Sequence, residues 1–293
     1  MKVFEDRFWS SRDGLKLHFR DYPGPEAAAD APRSERLPVL CLHGLTRNAR
    51  DFDVLAPRLA LERRVICPDL RGRGDSEYAR DAATYNPMQY CEDVLALLEQ
   101  EGIDRFVAIA TSLGGLMTMG LATAIPERIA GAVINDVGPW LEPAGLARIK
   151  EYVGQGRSFA TWVHAARGLE DSQGSAHPGH SLDFWIGKAK RLMTITGNGR
   201  VAFDYDMKIA EPIQALDTEE QADLWPAWEA LGRVPVMVLR GELSDLLSAQ
   251  TLDEMLRRTP GAQAVTLPGV GHAPTLDEPE SVAAIERLLA RVS

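Results

Sequence analysis

The sequence predicts an α/β fold: a mostly parallel central sheet with helices on both faces, plus an inserted helical cap. Three observations carry this. Short apolar runs that read as buried strands alternate with segments of helical spacing, the rhythm of parallel strands joined by crossover helices. An Asp13-Gly14 turn between alternating segments opens the chain as an antiparallel hairpin. From about residue 140 to 228 the rhythm stops, and helical patterns follow one another across polar, Gly-rich gaps with no strand alternation. The expected division is therefore a core of residues 1–136 and 228–293, interrupted by an insertion over 137–227.

In chain order, residues 7–11 and 15–20 form the hairpin strands. Residues 23–38, rich in Pro, Ala and charge, read as an exposed loop. Residues 37–42 are an apolar strand that stops at His43-Gly44-Leu45-Thr46, where the glycine lets the backbone pass close to a neighbouring strand end. His43 itself reads as a satisfied core histidine. Residues 48–61 have helical spacing and 64–67 make the next strand. The segment Pro68-Asp69-Leu70-Arg71-Gly72-Arg73-Gly74-Asp75-Ser76 lacks the Lys-Ser/Thr of a phosphate loop and reads as a structural turn held by Arg–Asp pairs. Residues 85–101 form a helix, with Asn86-Pro87 near its start and Gly102 at its end.

Residues 106–117 organise the rest. An apolar run too short for a buried helix ends at Ser112, and Gly114-Gly115 leads into a Leu/Met/Ala-rich helix. A serine at the apex of such a turn sits in a strained backbone with its hydroxyl lifted clear of the sheet, at a helix N-terminus, with the Leu113 amide beside it. Residues 129–134 are another buried strand, followed by Asn135-Asp136. Inside the insertion, Trp140, Phe159, Trp162, Phe184, Trp185, Phe203 and Tyr205 pack its own core or line a pocket. Its cations, Arg148, Arg157, Arg167, Lys188, Lys190 and Arg191, read as solvated. His177 and His180 lack the surrounding ligands of a metal site. The strand rhythm resumes at 234–241, followed by Glu242-Leu243-Ser244-Asp245, a helix over 248–258, a last strand over 262–267, the turn Pro268-Gly269-Val270-Gly271-His272, and a final helix from 279 to 292.

Three strand ends thus supply Ser112, Asp245 and His272, and in such sheets reactive groups gather at the carboxyl ends of the strands. That order of nucleophile, acid and base resembles the α/β-hydrolase superfamily. The resemblance rests on Leu42-His43-Gly44, on residues 69–76, on Ala110-Thr111-Ser112-Leu113-Gly114-Gly115, on residues 240–245 and on Gly269-Val270-Gly271-His272. It departs from the G-x-S-x-G pattern at Ala110, where the first glycine is usual. The resemblance implies that His272 takes the Ser112 proton and that Asp245 orients the imidazole. Glu242 on the same turn and Asp136 after the preceding strand stand as alternative acids. The amides of Leu45 and Leu113 would then form an oxyanion hole, in which losing one donor typically costs about 2.7–4 kcal/mol of barrier.

The implied activity is hydrolysis of a small or medium ester, lactone or thioester, with no cofactor and no metal. Carbon–carbon hydrolysis of ring-cleavage diketones and a non-catalytic ligand-binding role are the alternatives. Dehalogenase and epoxide hydrolase chemistry is disfavoured, because those relatives carry a carboxylate where Ser112 stands. The length of 293 residues suits one large domain or a core with an insertion. A net charge of -10 and a pI near 5.2 argue against nucleic acid, which needs a clustered positive surface. The first residues carry acids where a signal peptide has its apolar core, and no apolar run approaches a membrane span, so a cytoplasmic protein with a small-molecule substrate is expected, as monomer or homodimer. Cys41, Cys67 and Cys91 read as small reduced core residues.

Overall fold

The computed structural model describes residues 3–25, 36–216 and 220–292. Of the loop expected over 23–38, residues 26–35 lie outside the described residues. The strands are β1 (Glu5–Ser10), β2 (Lys16–Tyr22), β3 (Val39–Leu42), β4 (Val65–Pro68), β5 (Phe106–Thr111), β6 (Ile129–Asn135), β7 (Ser158–Phe159), β8 (Met193–Ile195), β9 (Val201–Phe203), β10 (Val236–Gly241) and β11 (Gln263–Leu267). The helices are α1 (Leu55–Leu59), α2 (Pro87–Gln100), α3 (Leu113–Ala124), α4 (Pro143–Tyr152), α5 (Trp162–Gln173), α6 (Leu182–Leu192), α7 (Ala210–Gln214), α8 (Trp225–Leu231), α9 (Ala249–Arg258) and α10 (Pro279–Leu289).

An 8-stranded sheet runs in the order β1-β2-β4-β3-β5-β6-β10-β11. β1, β2 and β4 pair antiparallel, and every later pair is parallel. Alternate residues of the buried strands feed opposite faces. Leu40, Leu42, Ala108 and Ala110 enter a core shared with α2, α3 and α8, whereas Val39, Cys41, Val107 and Ile109 enter one shared with α1 and α10. The chain changes direction where its sequence provides caps: the Asn86 side chain accepts from the Gln89 amide at the start of α2, and Ser248 accepts from Thr251 at the start of α9. No helix among the described residues is long and apolar enough to cross a membrane.

Between β6 and β10 the chain leaves the sheet. It forms α4 to α7, and also a small antiparallel sheet in the order β7-β9-β8 that the sequence reading did not foresee. Strands of 2 and 3 residues are too short to display an alternation. The helix expected over 48–61 is broken into a 3₁₀ turn (Ala49–Phe52) and α1. At the far end, α8 straddles the expected boundary at 227/228 and packs on α3, with Trp228 buried in the main core.

Candidate active site

β5 delivers Ser112 into a turn with φ 52° and ψ -116°, a sparsely populated conformation for a residue with a side chain. Close packing behind it explains the following glycines. A Cβ on Gly114 would stand 2.3 Å from the Leu42 carbonyl oxygen, and one on Gly115 2.4 Å from Val137 Cγ1. Ala110, at the position where the elbow pattern has glycine, is fully buried, and the main core accommodates its methyl. The Ser112 amide donates to Asn135 O at 3.0 Å, which fixes the elbow to the end of β6.

His272 reaches the serine from the loop after β11. Its Nε2 lies 3.0 Å from Ser112 Oγ and its Nδ1 lies 2.7 Å from Asp136 Oδ2. With Nδ1 protonated and donating to the carboxylate, Nε2 is left to accept from the serine hydroxyl. Asp136 is fully buried, with φ 57°, and its carboxylate also accepts from the Gly241 amide at 2.8 Å and the Ser244 hydroxyl at 2.7 Å.

The acid expected from the sequence, Asp245, is not in this chain of contacts. Both its oxygens face Arg148, which donates to it through Nε and Nη2. Burial pushes the Asp245 carboxyl up, but the Arg148 guanidinium outweighs that and holds it below the usual carboxylate range. The alternative Glu242 instead accepts the Gly269 amide at 2.8 Å, which steadies the loop that carries His272. The structure thus brings Ser112 and His272 together as expected and sets Asp136 in the place assigned to Asp245.

The turn after β3 lies beside the serine because Leu42 pairs in register with Ala110. A Cβ on Gly44 would stand 3.6 Å from Ser112 Cβ. Leu45 borders the same cavity as Ser112. Leu113 opens α3, where the helix itself offers its amide no acceptor. The arginines of residues 69–76 turn out to brace this region. Arg73, fully buried, donates to Leu45 O at 3.0 Å, to Arg71 O at 2.7 Å and to Tyr90 Oη at 3.0 Å. Arg71 pairs with Asp93 and Asp13, not with the aspartates of its own turn. His43 is the satisfied core residue expected: it touches Gly44 O at 2.7 Å and accepts the Leu70 amide at 3.1 Å, and burial pushes it down to about 4, so it is neutral.

The cavity at Ser112 encloses about 50 Å³. The core contributes Gly44, Leu45 and His272, and the inserted segment contributes Arg148, Tyr152, Phe203 and Tyr205. Of the seven aromatics singled out in the sequence, Phe203 and Tyr205 therefore border the cavity, while Trp185 packs the segment's own core. Lys188 departs from its solvated reading: it is 2% exposed. Its spacing with Trp185, Ala189 and Leu192 along α6 was the available sign, since these positions share a buried face. Arg47, which also borders the cavity, went unnoticed because an arginine in a loop has no periodic signature.

Among the described residues, one cluster has metal-ligating types within reach of one another: His18, Asp69 and Asp75. Its buried members are already engaged. Asp69 contacts His18 Nδ1 at 2.7 Å and accepts the amides of Ala49 and Asp75, which makes the cluster a brace for the turn.

A model of the alpha/beta hydrolase family matches residues 39–285. A 3-hydroxybutyrate-oligomer hydrolase of Cupriavidus necator is 36% identical over 252 residues, covering 84% of this chain and 85% of that protein. A 2-(acetamidomethylene)succinate hydrolase of Mesorhizobium japonicum is 25% identical over 234 residues, covering 80% and 81%. Among solved structures, an alpha/beta hydrolase from Novosphingobium aromaticivorans is 59% identical, covers 100% of both chains and superposes with a TM-score of 0.93.

Proposed function

Because the chain belongs to the alpha/beta hydrolase family, we propose that it is a serine hydrolase cleaving small to medium carboxylic esters, lactones or thioesters through Ser112, His272 and Asp136. The observation that carries this reading is the unbroken line of contacts from Ser112 Oγ through the His272 ring to the Asp136 carboxylate. A serine hydroxyl is a weak nucleophile at neutral pH. As Oγ attacks the acyl carbon, its proton passes to His272 Nε2, and the Asp136 carboxylate stabilises the imidazolium. The amides of Leu45 and Leu113 receive the oxyanion. The imidazolium then protonates the departing alcohol or thiol, leaving an acyl group on Ser112. Water, deprotonated by the same Nε2, attacks the acyl carbon, and as the bond to Oγ breaks the imidazolium returns a proton to Ser112 and the acid leaves.

Residues 137–227 act in this reading as a cap whose Tyr152, Phe203 and Tyr205 size the acyl or alcohol group. The 36% identity to a 3-hydroxybutyrate-oligomer hydrolase makes esters of hydroxy acids the first natural substrates to assay. The test is hydrolysis of p-nitrophenyl esters from acetate to octanoate, with Ser112→Ala beside the wild type. Turnover that vanishes in the variant supports the reading. Turnover that survives, or none on any ester, overturns it.

A further inference from the structure

A narrow recess adjoins the Ser112 cavity and shares Arg47 and Thr111 with it. It lies where α6 packs on the 3₁₀ turn Ala49–Phe52. Its charged walls are Arg47 and Asp51 from the core and Lys188 and Arg191 from α6. The space, about 10 Å³, has room for one water-sized group, such as a single carboxylate oxygen reaching in from the Ser112 cavity, and for no alkyl chain.

Two of these side chains are underused. Lys188 is 2% exposed, and its Nζ has no hydrogen-bond partner. The rings of Trp185 and Phe184 lie 5.4 and 5.9 Å from it. A buried amine without a partner is destabilising, and an apolar residue would suit this helix face better. Burial, with Arg47 nearby, also pushes the amine well below its ordinary range. Arg47 makes only a loose contact to Asp51, from Nη1 at 3.2 and 3.4 Å, and its Nε and Nη2 have no acceptor among the described residues. The nearby acids are otherwise occupied. Glu278 accepts from Thr275, Leu276 and Ser281, and Asp277 faces Arg191 at 3.7 Å. Arg47 is matched by Asp51 and Arg191 by Asp277, so the recess holds no surplus negative charge against an incoming anion, and a proton on Lys188 would make it positive.

We propose that Arg47 and Lys188 form a carboxylate subsite contiguous with the Ser112 cavity, so that the preferred substrates are esters bearing a free carboxylate. This rests on the serine-hydrolase reading and narrows its substrate class. An arriving carboxylate supplies the counter-charge that Lys188 lacks, the amine takes a proton from solvent as it binds, and Arg47 adds charged donors. Charge-assisted hydrogen bonds are strongest where water is excluded.

The test compares matched esters that differ in the carboxylate alone. On the acyl side these are 4-nitrophenyl hydrogen succinate and 4-nitrophenyl butyrate; on the alcohol side, 3-acetoxybutyrate and sec-butyl acetate. The readout is the ratio of kcat/KM, charged over neutral, in wild type, Arg47→Gln and Lys188→Met. We expect a ratio above about 10 in one pair, falling about tenfold in each variant. A wild type indifferent to the carboxylate in both pairs, or variants that keep its preference, overturns the subsite while neutral-ester turnover leaves the hydrolase reading standing. If the wild type hydrolyses none of the four esters, the hydrolase reading falls and takes the subsite with it. Lys188→Met is checked by its melting temperature, expected to hold or rise; if that variant does not fold, Arg47→Gln alone decides.

Discussion

Arg148 and Asp245 face each other across the seam between α4 and the loop after β10, with Nη2 2.8 Å from Oδ1 and Nε bonded to Oδ2. The pair joins the inserted segment to the core next to the cavity. It also separates two roles that the linear sequence leaves mixed. Asp136→Asn is expected to lower kcat by about 10³ to 10⁴, because an amide holds the imidazole in the wrong tautomer. Asp245→Asn is expected to change kcat by less than about tenfold, since it loosens a half-exposed ion pair and leaves His272 in place. Steady-state kinetics of the two variants decide; the opposite ranking would return the acid to Asp245.

The sequence misled on the acid for a geometric reason. β6 and β10 are neighbours, with Asn135 paired to Leu239, so residues just past either strand end open toward the same loop. Linear spacing does not encode which of the two carboxylates faces the imidazole. The partner that draws Asp245 away is 97 positions distant. The elbow was legible because strand, turn and helix are continuous in the chain, and His272 because its glycine-rich turn directly follows the last strand. Lys188 was misread by residue type alone, although its helical spacing marked a buried face.

Gly114 and Ala110 make a contrasting pair around the elbow. Gly114→Ala places a methyl against the Leu42 carbonyl, a backbone atom that cannot yield, and is expected to cost about 3 kcal/mol and displace Ser112. Ala110→Gly removes a packed methyl and is expected to cost about 1 kcal/mol with ester hydrolysis retained. Chemical denaturation and turnover measured together check both; a fully active Gly114→Ala would refute the close-packing argument.

Arg71 joins two acids that the sequence keeps far apart. Its guanidinium, fully buried, bonds Asp93 at 2.6 Å through both Nε and Nη2 and Asp13 at 2.9 Å. Arg71→Met leaves the buried Asp93 without its cation and is expected to lower stability by about 3–5 kcal/mol. Arg71→Met combined with Asp93→Leu should recover part of that loss, because no charge is then stranded. Urea titration of the single and double variants is the measurement, and a double variant no more stable than the single one would contradict it.

His43 gives a pH dependence with a definite sign. Its folded form is pushed down to about 4 by burial, whereas the unfolded chain takes up its proton near 6.5. The unfolded state therefore binds the proton first, so His43 stabilises the fold above 6.5 and loses that contribution as pH falls toward 4, by up to about 3 kcal/mol. His18 works in the opposite direction: burial lowers it, but Asp69 and its other acidic neighbours outweigh this and raise it. Comparing wild type with His43→Gln isolates the term. The wild type should weaken relative to the variant between pH 6.5 and 4, and parallel stability curves would sink the idea.

The inserted segment is fastened to the sheet at many points. Arg50 donates to Arg191 O and Asp204, Tyr85 to Asp206, and the Gly271 amide to Ala176 O at 2.6 Å. The last of these ties the segment to the residue before His272. A roof riveted in this way does not swing as a hinged door, because lifting it would pull the imidazole away from Ser112. In the proposed hydrolase, substrate would then enter by side-chain rotations and small loop shifts, motions that are generally faster than rigid-body domain movement. In that proposed hydrolase, the width of the entrance, more than the volume behind it, would then select among substrates.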